Sequence, residues 1–297
     1  MTFEQLRVFI AVAERLHVTQ AASALHMTQS AASAAVQALE NGLGTKLFNR
    51  VGRRIELTEA GRVFLPEARA VLKRLAQAEQ TLAELDGLER GRLALWASQT
   101  ISGYFLPRFI ARFHEARPKI ELSLVIDNTA GVARAVAAGD ADIGFVEGDV
   151  EDPLLVRIDV GADQLVLVVG ADHPFAAKRT VKPEDLTTLK WTLRERGSGT
   201  RQIFEDAVRA YGIDPDALDV TLELPSNEAV RSAVEAGAGA TVISRLVAEA
   251  KLSTGHLAML PLAFPERRFT ALRHGDRSRS RVEAAFLDFV RADLVSI

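Results

Sequence analysis

The segment from Thr19 to Glu40 constrains the fold more than any other part of the chain, because it has the pattern of two short helices joined by a tight turn. Apolar residues recur at helical spacing on both sides of His26-Met27, which predicts one helix before this turn and one after it. Thr19 and Thr28 are typical N-cap residues, and each precedes one of the apolar runs. The pattern fits an ordinary helical hairpin with a solvated face, and it also fits a helix-turn-helix that reads DNA.

The second predicted helix carries short polar side chains on the face opposite its apolar residues. Hydroxyl and amide groups can donate to base edges or accept from them without adding a large charge. We therefore expect the DNA-reading residues of this helix to be Thr28, Gln29, Ser30, Ser33 and Gln37.

A basic segment follows this helix. Nine residues without an acid contain Lys46, Arg50, Arg53 and Arg54. Glycines before and within the segment mark turns, and strand-type apolar residues lie around them. These features predict a small β-hairpin, or wing, whose Arg50, Arg53 and Arg54 reach phosphates or a narrow minor groove. A solvated basic turn is the alternative, and the neighbouring helix-turn-helix favours the wing.

Residues 1–65 resemble the winged helix-turn-helix of LysR-type transcriptional regulators. The match is dense, in order and at the spacing of that family. It is carried by Leu6, Phe9, Val12, Glu14, Ala21, Ala22, Leu25, Thr28, Gln29, Ser30, Ala31, Ser33, Leu39, Glu40, Leu43, Gly44, Leu47, Phe48, Arg50, Leu57, Thr58, Glu59, Ala60 and Gly61. The resemblance implies double-stranded promoter DNA as a partner.

The chain differs from many members of this family at one place in the second helix. Those members have a long basic residue after the serine of the recognition helix, whereas Ala34 and Ala35 follow Ser33 here. We therefore expect more of the sequence preference to rest on the other polar residues of the helix and on the wing.

Length, charge and composition exclude several other classes of protein. The 297 residues are enough for two or three domains with their own cores. A net charge of −3 excludes a general polyanion binder, so DNA contacts must come from the local basic segment. The lack of cysteine excludes a disulfide framework and a thiol-based switch. The six histidines show no metal-ligand spacing, and we expect neither a metal nor another cofactor.

The sequence also lacks the pattern of a membrane protein. No apolar run approaches the roughly 18–20 residues that a membrane-spanning helix needs. The opening sequence, MTFEQLRVFIAVAE, mixes charged and apolar residues, which is typical of an amphipathic helix and not of a secretory signal. We therefore expect a cytoplasmic protein with no membrane partner.

A long amphipathic helix is predicted after the wing, with Thr58 as its N-cap. Its apolar residues alternate four and three positions apart: Phe64, Ala68, Val71, Leu75, Ala78, Leu82 and Leu85. A heptad seam of this kind favours a partner helix over packing on the same chain. The family resemblance implies the same, because its linker helix pairs two subunits. We predict a homodimer whose seam consists of Phe64, Val71, Leu75, Leu82 and Leu85.

From Arg92 onward, predicted strands and helices alternate, which is typical of an α/β domain with a parallel sheet. The resemblance implies two lobes with a cleft between them, as in a periplasmic binding protein. We predict a DNA-binding domain at 1–58, a linker helix at 59–90 and an effector-binding domain at 91–297. Lobe I is expected to comprise about 91–161 and 267–297, and lobe II about 162–266.

Two loops of the predicted cleft have the composition of an anion site. The first, Ser98-Gln99-Thr100, follows a predicted strand and precedes a helix. The second, RERGSGTR at 194–201, follows a later strand, and its glycines allow the backbone to approach a ligand closely. Helix N-termini and hydroxyls suit an oxyanion or a carboxylate. Both loops also resemble those of LysR-type members that sense such ligands.

The predicted effector-binding residues lie in these loops and at other strand ends. They are Ser98, Gln99, Thr100, Asn128, Thr129, Glu147, Ser198, Gly199, Thr200, Arg201 and Asn227. Polar residues at such places are also common as helix caps and in turns. Glu147 suits either a ligand amine or an arginine partner, and Arg194 and Arg201 suit either a ligand charge or the protein surface.

The sequence thus predicts a DNA-binding transcriptional regulator that responds to a small, anionic effector. No catalytic triad, carboxylate pair or metal set occurs at recognisable spacing, so an enzyme is not expected. A solute-binding transport protein is the alternative for 92–297, and an effector-independent DNA-binding protein is the alternative for the whole chain. A homodimer that assembles into a tetramer is expected, and RNA polymerase is a further candidate partner.

Overall fold

The computed structural model describes residues 1–51, 54–83 and 91–294. The chain forms two compact units, at Met1–Leu85 and Asp86–Ile297. Among the described residues, no helix is both long enough and apolar enough to cross a membrane.

Within its described residues, the first unit contains four helices and a two-stranded hairpin. In chain order these elements are α1 (Phe3–Arg15), α2 (Val18–Ala24), α3 (Gln29–Leu43), β1 (Phe48–Val51), β2 (Arg54–Leu57) and α4 (Glu59–Ala83). The strands pair antiparallel, with Phe48 opposite Leu57. Buried apolar side chains from all four helices form the core, among them Phe9, Ala21 and Leu39. The small Ala21 and Ala32 lie in one cluster with Val12, which lets the helices approach closely.

The turn between α2 and α3 lies where the sequence predicts it. His26 adopts a left-handed backbone conformation there, with φ of 53°. Thr28 is the N-cap of α3, because its hydroxyl accepts a hydrogen bond from the Ala31 amide at 3.2 Å. The prediction that Thr19 caps α2 is wrong. The helix begins at Val18, and the ring nitrogen Nδ1 of His17 accepts from the Gln20 amide at 3.4 Å, as a hydroxyl oxygen would.

Glu40, on the recognition helix α3, forms hydrogen bonds with the residues that lead into the wing. It is buried, and its carboxylate accepts from Lys46 Nζ at 2.7 Å and from the amides of Leu47 and Phe48 at 2.9 and 3.2 Å. Burial alone would raise the pKa of Glu40, but these hydrogen bonds lower it below the ordinary value. Lys46, which the sequence groups with the basic residues of the wing, therefore has an intrachain partner.

The linker helix α4 begins as predicted, because the Thr58 hydroxyl accepts from the Gly61 amide at 2.9 Å. Phe64, the first residue of the predicted seam, has a packing partner within the chain. That ring packs against Phe9 of the same chain, with centroids 5.3 Å apart, and Ala68 is buried in the same cluster. An apolar repeat cannot distinguish these contacts from contacts with a partner. Val71 is 41% exposed and Leu75 is half-buried. The side chain of Leu82 and the whole of Leu85 lie outside the described residues.

The second unit is built on one eight-stranded sheet with the order β4-β3-β5-β10-β6-β9-β7-β8. The strands are β3 (Gly91–Ala97), β4 (Ile120–Ile126), β5 (Ile143–Glu147), β6 (Leu155–Gly170), β7 (Lys190–Arg194), β8 (Asp219–Leu224), β9 (Ala240–Ser244) and β10 (Leu257–His274). The helices are α5 (Leu106–Ala116), α6 (Thr129–Ala138), α7 (Gly199–Ala210), α8 (Asn227–Glu235), α9 (Arg245–Ser253) and α10 (Arg281–Leu294). The sequence predicts most of these elements, but not α9 or β10.

The sheet is mixed, so the predicted all-parallel sheet is wrong. The strands β3, β4 and β5 pair parallel, as do β7, β8 and β9. The long strands β6 and β10 lie between these sets and pair antiparallel with each other. The predicted lobe boundaries, at 161/162 and 266/267, fall inside these two strands.

The two-lobed effector domain that the sequence predicts is confirmed. Each lobe has its own core. Phe109, Phe145 and Phe286 belong to the first core, whereas Trp191 and Phe204 belong to the second. Because β6 and β10 contribute residues to both cores, these strands connect the lobes.

Candidate functional site

Two helix starts, one from each lobe, bring hydroxyl groups together beside the crossing strands. Ser98 and Thr100 follow β3, and the chain continues through a π-helical turn at Ile101–Phe105 into α5. Thr200 lies in the first turn of α7, directly after Gly199. All three hydroxyl residues are buried, and Thr100 has no exposed surface. The predicted approach of the two loops is thus a feature of the fold.

Arg267 on β10 joins the two helix starts. Its Nη1 donates to the Thr200 hydroxyl at 2.9 Å, and its Nη2 donates to the Thr100 hydroxyl at 3.3 Å. The side chain of Arg267 is only 1% exposed, so these hydrogen bonds form away from bulk solvent. One guanidinium therefore contacts both lobes.

Two buried carboxylates lie beside the Arg267 guanidinium. Asp163 lies opposite it on β6, with Oδ2 2.7 Å from Nη2 and 3.2 Å from Nε. Glu147, at the end of β5, has Oε1 3.4 Å from Nη1. The Ser98 hydroxyl donates to Glu147 in a short hydrogen bond, and the Thr200 hydroxyl lies 3.5 Å from the same carboxylate. The structure thus gives Glu147 an arginine partner.

Asn227, the first residue of α8, links the group to the end of β7. Its Nδ2 donates to the Thr100 hydroxyl at 3.0 Å, and its Oδ1 accepts from Arg194 Nη1 at 2.6 Å. Its backbone amide donates to Gln99 Oε1 at 2.8 Å. We call the following side chains the interlobe cluster: Ser98, Thr100, Glu147, Asp163, Thr200, Asn227 and Arg267.

Gly199 allows the start of α7 to approach the end of β5 closely. A Cβ at this position would lie 1.9 Å from the backbone oxygen of Glu147, so any larger residue would push the lobes apart. The same oxygen accepts from the Thr129 hydroxyl at 2.8 Å. Asn128 caps α6 and donates to Glu195 at 3.2 Å. Gly199, Thr129 and Asn128 therefore have structural roles beside the cluster.

Ser198 and Arg201 lie apart from the cluster. Both line a cavity of about 510 Å³ between the starts of α6 and α7. Arg201 donates to Glu205 at 2.7 Å, to the Arg194 carbonyl at 3.0 Å and to Glu223. Burial alone would lower the pKa of Arg201, but the hydrogen bonds to the two glutamates raise it above its ordinary value. Its guanidinium is thus already paired.

Arg194 is buried as well, and it is not the surface residue that one interpretation of the sequence allows. Its Nε and Nη2 donate to the two carboxylate oxygens of Glu195 at 2.8 and 2.9 Å. Burial would raise the pKa of Glu195, but the hydrogen bond and the charge of Arg194 lower it.

Sequence reasoning missed Arg267 and Asp163. A signal for the arginine was present, because Arg267, Phe269 and Ala271 alternate along β10 and share its buried face. An arginine at the buried phase of an apolar strand requires a carboxylate partner. No comparable signal identifies Asp163.

The polar face of α3 is accessible, as a DNA-reading face must be. Thr28, Gln29, Ser30 and Gln37 are exposed, and Ser33 is half-buried. Gln29 Nε2 donates to the Ser33 hydroxyl at 3.0 Å, and the Thr28 and Ser30 hydroxyls lie 3.1 Å apart.

The strands of the wing form where the sequence predicts them, and Val51 pairs with Arg54. Arg53 lies outside the described residues, as do the side chains of Arg50 and Arg54. Among the residues described, no group of histidine and acidic side chains is arranged to hold a metal ion.

Comparison with known families identifies both parts of the chain. Residues 3–62 match the family described as "Bacterial regulatory helix-turn-helix protein, lysR family". Residues 86–295 match the family described as "LysR substrate binding domain". These matches confirm the resemblance that the sequence shows in its first 65 residues and extend it over the second unit.

Individual relatives agree over nearly the whole length. The chain is 34% identical to the uncharacterized HTH-type transcriptional regulator YeiE of Escherichia coli K12 over 291 residues, which is 97% of each chain. It is 33% identical to the RuBisCO operon transcriptional regulator of Acidithiobacillus ferrooxidans, over 98% of this chain and 94% of that one.

Solved structures share the fold. Full-length CbnR in complex with its target DNA matches 98% of this chain and 99% of its own, with a TM-score of 0.74 and 24% identity. The regulatory domain of CcmR from Synechocystis PCC6803, in complex with 2-PG (2-phosphoglycolate), matches 69% of this chain and 97% of its own, with a TM-score of 0.63 and 29% identity. A DNA-reading head and a two-lobed sensor thus occur on one chain, which belongs to the LysR family of transcriptional regulators.

Proposed function

We propose that this regulator responds to a small anion, either an oxyanion or a carboxylate, which binds at the interlobe cluster. The observation that carries the proposal is the position of Arg267, which donates to Thr100 of one lobe and to Thr200 of the other from a buried strand. A ligand that binds these groups contacts both lobes at once, and its binding energy then depends on how the lobes are arranged.

The chemistry of the cluster suits an acceptor-rich ligand. Two helix N-termini point free amide groups and partial positive charge at the same place, and each contributes about 0.3–1 kcal/mol to anion binding. In this structure the Glu147 carboxylate accepts from Ser98 and Thr200 and lies beside Arg267. An anionic effector competes with this carboxylate for the same donors, so binding requires a rearrangement around Glu147.

One relative supports the choice of ligand class. The CcmR regulatory domain, 29% identical over the region compared, was solved in complex with 2-PG, which carries a phosphate and a carboxylate. We therefore include this acid and inorganic phosphate among the ligands to test.

On the DNA side, we propose that Thr28, Gln29, Ser30, Ser33 and Gln37 read base edges, and that Arg50, Arg53 and Arg54 contact phosphates. Dimers form along the exposed part of α4 and assemble further into tetramers. The effector favours one arrangement of subunits by its differential affinity for the two arrangements, and this changes the spacing of the DNA-reading heads. The protein acts in the cytoplasm by binding, not by catalysis.

The test is a thermal-shift screen of the full-length protein, followed by calorimetry on each ligand that binds. The screen contains phosphate, sulfate, 2-phosphoglycolate, short carboxylates, amino acids and simple amines. We expect anions to bind, and we expect Thr100→Val and Thr200→Val each to weaken binding about tenfold or more, because each removes a buried hydroxyl donor to a charged ligand.

Thr241→Val is the matched control. The Thr241 hydroxyl is buried in β9 and has no hydrogen-bond partner among the described residues, so its loss should leave anion affinity unchanged. A screen in which only amines or neutral ligands bind contradicts the proposal. Loss of affinity in Ser198→Ala, with Thr100→Val unaffected, would place the anion in the cavity between the starts of α6 and α7.

A further inference from the structure

The direction of the hydrogen bonds around Asn227 is fixed by Arg194. A guanidinium can only donate, and Arg194 Nη1 lies 2.6 Å from the side-chain oxygen of Asn227. Glu195 holds this guanidinium through two hydrogen bonds. The oxygen of the Asn227 amide therefore faces Arg194, and its nitrogen faces Thr100.

The Thr100 hydroxyl consequently accepts two hydrogen bonds. Asn227 Nδ2 donates to it at 3.0 Å, and Arg267 Nη2 donates to it at 3.3 Å. A hydroxyl has two lone pairs and one hydrogen, so both lone pairs are used and only the hydrogen remains. No contact recorded for the described residues supplies an acceptor for this hydrogen.

The other two hydroxyls of the cluster differ from Thr100 in this respect. The hydrogens of Ser98 and Thr200 are directed to the Glu147 carboxylate. Thr100 therefore differs from Ser98 and Thr200, because its hydroxyl hydrogen stays available to a ligand. Thr100 itself has no exposed surface.

We propose that Arg194, Asn227 and Arg267 are positioning residues that hold the Thr100 hydroxyl as an obligate donor, and that this makes the site selective for ligands with a hydrogen-bond acceptor. The inference rests on the proposed anion site and adds the origin of its selectivity. A hydroxyl that accepts from a guanidinium is also polarised, so it is a stronger donor than an isolated hydroxyl.

The same network discriminates against ligands that only donate. To offer a lone pair to an ammonium group, Thr100 must give up the hydrogen bond from Asn227 or the one from Arg267. Either loss leaves a buried donor without an acceptor, which is costly in a site closed to solvent. An oxyanion or carboxylate oxygen meets no such penalty.

The test is a double-mutant cycle between Asn227→Asp and Thr100→Val in the full-length protein. Aspartate has nearly the shape of asparagine and still accepts from Arg194, but it offers Thr100 an acceptor in place of a donor. The Thr100 hydroxyl then donates to the introduced carboxylate, so its hydrogen is no longer available to the ligand. Dissociation constants for inorganic phosphate and 2-phosphoglycolate are measured by calorimetry, with Thr241→Val as the control.

We expect Asn227→Asp to weaken anion binding about tenfold or more in the wild-type background, and to change it by less than about twofold in the Thr100→Val background. An acid that acts through charge repulsion or misfolding weakens binding equally in both backgrounds, and this result would overturn the inference. Binding of ethylammonium, which can only donate, as tight as that of the two anions would overturn it as well.

A second readout separates this inference from the proposed function. Melting temperatures of the same four proteins, measured without ligand, should be non-additive by more than about 1 °C, because the two side chains share a buried hydrogen bond. Coupled melting temperatures without anion binding would refute the anion site and leave the network intact. Anion binding with additive melting temperatures and additive affinities would refute the network.

Discussion

Arg267 shows how much a single buried charge determines in this molecule. Taking a guanidinium and two carboxylates out of water is costly, and the attraction of Arg267 for both carboxylates offsets that cost only while the guanidinium remains in place. Removing the guanidinium would leave two buried carboxylates without a counter-charge, which is destabilising by about 3–5 kcal/mol. The cluster therefore holds the lobes in register before any ligand binds.

Much of the cluster follows from local sequence rules, and part of it does not. Ser98, Thr100, Thr200 and Asn227 lie where a strand leads into a helix, so their positions at one edge of the sheet can be predicted. Arg267 lies within a strand that the sequence analysis did not identify. Its neighbours there come from β6, more than a hundred positions earlier, and no local pattern records such a pairing.

Glu283, in the first turn of α10, is another buried ionisable group with a measurable consequence. It is 8% exposed, and its Oε1 has no hydrogen-bond partner among the described residues. Burial raises the pKa of Glu283 to about 7, against the opposing charge of Arg273. Between the ordinary value of 4.5 and about 7, the unfolded chain is ionised at this residue while the folded protein keeps its proton.

We predict that stability falls as the pH rises through this range and that Glu283→Gln removes the dependence. Above pH 7 the variant should be more stable than the wild type by up to about 3 kcal/mol, the free-energy equivalent of the pKa shift. Urea unfolding at pH 5, 6, 7 and 8 measures this, with Glu121→Gln, at an exposed position on β4, as the control. Parallel pH profiles for Glu283→Gln and the wild type would show that the carboxyl is not the cause.

Among the elements, the positions of helices are predicted better than the surfaces against which the helices pack. The recognition helix begins directly after its N-cap Thr28, as the capping rule predicts. In the first turns of α4, Phe64 of the predicted seam packs on Phe9 within the chain. A heptad pattern reports that a helix face is apolar, and it does not report which surface covers that face.

The predicted dimer surface is the part of α4 that does not pack within its own chain. We expect Leu75→Asp to dissociate the dimer, because an unpaired carboxylate buried at a helix seam costs at least several kcal/mol. Ala76→Asp adds the same charge at the next position, which is exposed and lies outside the predicted seam, and it should leave the dimer intact. Light scattering of both variants gives the masses. A Leu75→Asp protein that keeps its dimeric mass would show that α4 packs differently.

At the scale of the whole molecule, the two long antiparallel strands β6 and β10 connect the lobes of the effector domain. Alternating strand and helix signals predict two α/β lobes, and that prediction is confirmed. The same signals predict an all-parallel sheet, which is wrong, because β6 and β10 pair over most of their length between the lobes. Strand direction depends on chain connections across the whole domain, which local periodicity does not contain.

The anion that we propose at the interlobe cluster would contact both lobes through these strands. Arg267 and Asp163 lie opposite each other on β10 and β6, and their contacts extend to the starts of α5 and α7. An effector that binds here changes the contacts of the crossing strands directly. Its effect on DNA is then set by how much better it binds one arrangement of subunits than the other.

The central claim is that an anion at Thr100 controls DNA binding, and one titration tests it. A duplex selected from random sequences with the full-length protein is titrated with and without a saturating concentration of the tightest-binding anion, for the wild type and for Thr100→Val. We predict that the anion changes the affinity of the wild type for DNA by roughly 5–150-fold. The DNA affinity of Thr100→Val should not respond at the same anion concentration. A wild-type protein that binds the anion in calorimetry, yet binds DNA equally well with and without it, would contradict the account.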